Sequence, residues 1–178
     1  MSESEKQKIE SLKAELSKLP QQQKLRALSY VQKLQENWND PTEKTRTIID
    51  FENYIFELGL SNEDQLIEIL ESLLVEGQED QSSRQITYQA LVNLIPQDIS
   101  CQVETGGCVD TLVSKLEDIR LSSDIELNKA LGKEILEVIA QTDLMSNQQK
   151  LDFKAILTSL VYGGDVSQIP EAEKQEVV

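Results

Sequence analysis

Apolar residues recur every three or four positions along nearly the whole chain, in runs broken by Pro, Gly and capping residues. This period places them on one face of a helix and denies a strand its alternation, so the spacing predicts an all-α fold. The first run, Glu3 to Leu19, carries Ile9, Leu12, Leu16 and Leu19. After Pro20 a second carries Leu25, Leu28, Val31, Leu34 and Trp38, and together the two read as an antiparallel hairpin. Asp40-Pro41 suits a cap followed by a first helical residue. The third helix, about 42–58, carries Ile48, Ile49, Phe51, Tyr54, Ile55, Phe56 and Leu58, an apolar face broad enough to lie central in the core or to keep a patch for a partner.

The later helices are punctuated in the same way. Ser61 to Asp64, Ser123 to Glu126 and Ser146 to Gln149 have the spacing of capping boxes. Gly77 is placed to end the fourth helix in a left-handed turn, and the Gly163-Gly164 pair to end the eighth. The fifth helix is expected to begin near Ser83 and stop at Pro96. Residues 97–107 are the least regular stretch, and 164–178 are expected to form a disordered acidic tail. The expected organisation is eight helices in antiparallel hairpins: a hairpin over 1–38, a helical domain over 40–163, then the tail.

Absences limit the chemistry. No histidine occurs among the 178 residues, which removes Ser-His and Cys-His nucleophiles and histidine metal sites. Two cysteines, Cys101 and Cys108, cannot make a four-thiolate zinc site. Acidic Glu104 and Asp110 beside them disfavour a reactive thiolate, so they are read as ordinary thiols. Glu68 with Glu71, and Glu134 with Glu137, share helix faces and are read as solvated surface. Phosphate-binding and nucleophile-elbow motifs are missing. No catalytic residue, cofactor or metal is therefore expected. A polar N-terminus, two cysteines and no run near the roughly 18 apolar residues of a membrane helix suggest a cytoplasmic protein without membrane contact.

The net charge of −15 is unevenly spread. Residues 1–38 carry +2, residues 39–83 carry −10 and residues 84–178 carry −7. Between Thr47 and Ser83 stand ten carboxylates and no Lys or Arg. Such a surface repels nucleic acid, despite a small basic group at Lys24, Arg26 and Lys33; it is read as a solvated face, or as one that attracts a basic protein. Five of the aromatics, Tyr30, Trp38, Phe51, Tyr54 and Phe56, cluster early, either as the core where the hairpin docks or as an interface. Residues for partner binding are accordingly Trp38, Phe51, Tyr54, Glu57, Glu63, Asp64, Glu68 and Glu71.

Three helix starts are alike: Leu19-Pro20-Gln21-Gln22-Gln23-Lys24-Leu25, Leu60-Ser61-Asn62-Glu63-Asp64-Gln65-Leu66 and Met145-Ser146-Asn147-Gln148-Gln149-Lys150-Leu151. Their spacing is near one and two periods of a helical-hairpin solenoid, which run about 40–47 residues. Gly106-Gly107-Cys108-Val109-Asp110-Thr111-Leu112-Val113, leading through Ser123 to Ala130-Leu131, resembles an armadillo repeat. Tyr88 to Leu94 is similar to the last helix of one. Over residues 60–141 this resemblance to armadillo/HEAT-like proteins implies a right-handed stack of helices and a protein-binding scaffold. A compact bundle is the other arrangement the helices allow. The expected function is a non-enzymatic adaptor, scaffold or regulatory subunit. Alternatives are an acidic mimic or chaperone of a basic nucleic-acid-binding protein, and a structural protein forming homodimers through the N-terminal hairpin.

Overall fold

Side-chain caps set most of the helix starts. In the computed structural model, which describes residues 2–58, 63–101 and 107–163 (63 and 64 by backbone only), Ser2 Oγ accepts from the Glu5 N–H at 3.1 Å. The Glu5 carboxylate in turn accepts from the Ser2 N–H at 2.9 Å. This reciprocal cap begins α1, Glu3–Leu16. The helix stops short of Leu19, because the N–H groups of Lys18 and Leu19 turn back to Glu15 and Leu16 in tighter bonds before Pro20. Then come α2 (Gln21–Glu36), α3 (Pro41–Leu58), α4 (Glu63–Glu76), α5 (Gln81–Leu94), α6 (Cys108–Leu121), α7 (Ile125–Gln141) and α8 (Asn147–Tyr162). Eight helices and no strand lie among the described residues, so the chain is all-α as expected.

The structure corrects three local expectations. α5 begins two residues before Ser83, because Asp80 caps it, accepting from the N–H groups of Ser82 at 2.6 Å and Ser83 at 3.3 Å. Asp124, not Ser123, caps α7, through the Leu127 N–H at 3.2 Å. Among the described glycines only Gly163 has positive φ, at 57°. Gly77 leaves α4 through bonds from its own N–H to Leu74 and from Gln78 to Val75, without a left-handed residue. The expected Ser61 cap and the 164–178 tail lie outside the described residues.

α8 sits at the centre. It packs against α3, α4, α5, α6 and α7, and nine of its residues from Asp152 to Tyr162 are buried. α3 is nearly as enclosed, which explains its broad apolar face. Gly132 lets α7 come close to α8: a Cβ there would stand 3.1 Å from Val161 Cγ2. The stripe Ile9, Leu12, Leu16 and Leu19, expected to pair two copies, is buried in the same continuous core as α8.

Arg84 joins two helices through a buried guanidinium. Its Nη2 donates to Ile119 O at 2.7 Å and to Ser122 O at 3.4 Å, and its Nε to Arg120 O at 3.1 Å. These carbonyls close the C-terminal end of α6, where Ile119 O also accepts from the Ser122 N–H at 3.2 Å, so a cation there meets the negative end of the helix. Charge-assisted hydrogen bonds contribute roughly 1.5–3 kcal/mol, so Arg84→Met should cost about 2–3 kcal/mol in a urea melt. An unchanged midpoint would show that water replaces the guanidinium without loss.

Candidate functional site

The carboxylates and aromatics expected to face a partner do not form one surface. Phe51 is fully buried and stacks on Tyr30 with centroids 5.2 Å apart. Tyr54 is buried beside them, its Oη donating to Gln23 O at 3.4 Å with Arg26 above the ring. These two are core residues, because the face of α3 that carries them meets α2. Trp38 is half-buried, with Lys44 Nζ 3.8 Å from its ring centroid.

Glu71, read as surface, is also buried. Glu57 is exposed and Glu68 half-buried, whereas the side chains of Glu63 and Asp64 lie outside the description. From the same acidic run, Glu76 pairs with Lys8 at 2.6 Å and Asp80 caps α5.

Three of the chain's acids instead meet inside the bundle. Glu52 of α3, Glu71 of α4 and Asp152 of α8 are all buried. Both carboxyl oxygens of Glu52 and Oδ1 of Asp152 find no hydrogen-bond partner among the described residues. Burial pushes the Glu52 carboxyl well above its ordinary range, and the charges of Asp152 and Glu71 push it further. Burial alone raises Asp152 to about 7. Both therefore hold a proton in conditions where a surface acid is ionised. The helical period contained a signal for Glu52: Ile48, Phe51, Glu52 and Ile55 share one face of α3. Among the described residues no three His, Cys, Asp or Glu side chains are placed to hold a metal ion.

A cleft lies elsewhere, between α6 and α7. It encloses about 650 Å³, within the range of ligand clefts. Leu112 of α6 and Val138 of α7 contribute apolar walls, and Lys115 and Glu134 pair across it at 3.2 Å. The α7–α8 connection supplies Asp143 and Leu144, and Leu144 is 52% exposed. From the segment after α5 come Asp98, Ser100 and Cys101. Asp98, Glu134, Glu137 and Asp143 thus face one cation, Lys115. The cleft is acidic, with a mixed lining to which Leu112, Val138 and the exposed Leu144 contribute the apolar part. The Glu134 and Glu137 pair was visible in the sequence. Its company was not, because Asp98 arrives from the segment after α5, remote in the chain, and meets Leu144 of the connection that follows α7.

One wall is covalently fixed. Cys101 and Cys108 form a disulfide that ties the segment after α5 to the first residue of α6. The reading of two ordinary thiols is overturned, because the two sulfurs are bonded to each other. Alkylation of unreduced protein should therefore add no mass, and after reduction it should add two adducts. Two adducts without reductant would contradict the bond.

No described helix is long and apolar enough to cross a membrane. Comparison of the chain with protein-family models, with curated proteins and with solved structures found no match.

Proposed function

We propose that the protein is a non-enzymatic binding module, an adaptor or regulatory subunit, whose α6–α7 cleft receives a basic segment of another protein. The observation that carries this reading is the cleft's composition: four carboxylates against one lysine, with the apolar side chains of Leu112, Val138 and the exposed Leu144 among them. Apolar contacts in such a groove supply affinity, and charges around it set approach rate and choice of partner. An amphipathic helix with Lys or Arg flanking two or three apolar anchors matches this arrangement. Direct nucleic-acid binding is disfavoured by the net charge of −15.

The disulfide weighs against the cytoplasmic location expected from the sequence. A formed disulfide fits an oxidising compartment better than the reducing one the cysteine count suggested.

Titrating isotope-labelled protein with a Lys/Leu amphipathic helical peptide tests the cleft. Amide shifts should centre on residues 111–115 and 134–144. The double variant Glu134→Lys, Glu137→Lys should weaken binding about tenfold at low salt, since reversal turns two attractions into repulsions. Shifts spread over the whole surface, or unchanged affinity in the variant, would reject the site.

A further inference from the structure

We propose that residues 164–178 of this chain dock in the second groove of α7, the one it forms with α8. This groove, about 480 Å³, has the opposite character to the acidic cleft. Leu136, Leu157 and Val161 line it, together with Lys129, Lys133 and Lys154. The chain has 17 basic residues against 32 acidic ones, so a groove whose lining residues include three lysines and one acid, Glu137, is a local reversal of sign. Glu137 stands on the ridge between the grooves, lining both. Lys129 also approaches Glu126 at 3.8 Å, a long and exposed pair that an incoming carboxylate can replace.

The segment matches the groove in charge and in position. It carries Asp165, Glu171, Glu173 and Glu176 against a single Lys174, and it supplies Val166, Ile169, Val177 and Val178 for an apolar lining. α8 ends at Tyr162, which itself lines the groove, and Gly163 then adopts φ 57°, turning the chain out of the helical path. From Tyr162 back to Lys154 is about 12 Å along the helix, which roughly four extended residues cover. Fifteen residues therefore reach the whole groove. Tethering holds them there at about millimolar effective concentration, so individually weak contacts suffice. Docking replaces the disorder expected from the segment's composition. Because α7 forms a wall of both grooves, an occupant of one borders the other.

Zero-length carbodiimide cross-linking of the full chain tests this, with monomer and dimer bands separated before mass spectrometry. In the monomer, acids of 164–178 should join Lys129, Lys133 and Lys154 in preference to Lys24, Lys33 and Lys150, and the yield should fall as salt rises. In the double variant Lys129→Glu, Lys133→Glu the yield at Lys154 should fall about tenfold, as reversing two charges requires. An unchanged thermal melt would confirm that the variant is folded. High salt on the unaltered chain repeats the test without substitution. Cross-links spread evenly over all lysines, confined to the dimer band, or insensitive to salt would overturn the proposal.

Discussion

Between pH 4 and pH 8 the protein should lose stability as the pH rises. Asp152 titrates at 3.8 under ordinary conditions and at about 7 in the fold. The folded chain therefore keeps a proton that the unfolded chain gives up, and stability falls across this window. It is complete below about pH 4 and lowest above 7. From Asp152 alone the loss is roughly 4 kcal/mol by linkage, or about 10 °C in melting temperature for a chain of this size. Glu52, also raised by burial, acts in the same direction until its own folded titration is passed. The charges of Asp152 and Glu71 raise Glu52 further, so it is the harder to ionise once they are charged. Self-repulsion at a net charge of −15 adds to the trend. Thermal melts at each pH check it, and Asp152→Asn should flatten the profile and raise the melting temperature at pH 8. A melting temperature that climbs from pH 4 to 8 would contradict the buried placement of these acids.

Phe51→Ala should cost about 3–5 kcal/mol, the range for removing a buried aromatic ring. Against a typical total of about 5–15 kcal/mol, this brings the fold near failure. The ring is fully enclosed and stacked on Tyr30, so its removal leaves a hole that neighbours on α2 and α3 fill poorly. Glu57→Ala, two turns along the same helix but exposed, should change stability by less than about 0.5 kcal/mol. Urea melts of both variants separate core from surface. Equal midpoints would return Phe51 to the interface that its residue type first suggested.

Where the sequence was sufficient, local chemistry decided the outcome. The Ser146 and Gln149 pair makes the reciprocal cap its spacing predicts, and Gly163 ends α8 in the left-handed region. Where adjacent polar residues compete, composition does not choose between them. Asp80 and Asp124 cap their helices because the backbone turns there, one to three residues from the serines that looked as suitable. Gly77 resembled Gly163, yet its exit from the helix needs no positive φ.

The sites were harder to read than the helices. A carboxylate in a helix is ordinarily solvated, and only the period of α3 marked Glu52 as inward-facing. The acidic run at 47–83 looked like a face, but its members divide between the interior, an ion pair, a helix cap and the surface. The cleft depends on Asp98, Glu134, Glu137 and Leu144 converging from three parts of the chain. No local pattern encodes that convergence.

Affinity capture from the source cell, with the unaltered protein and the Leu144→Asp, Glu134→Lys, Glu137→Lys variant side by side, tests the acidic cleft as the docking site most directly. All three side chains are at the cleft and solvent-facing, so the variant should melt as the original does. A protein retained by the original and lost from the equally stable variant, and carrying a basic amphipathic segment, is the predicted result. The same partners captured in equal amounts by both would contradict it.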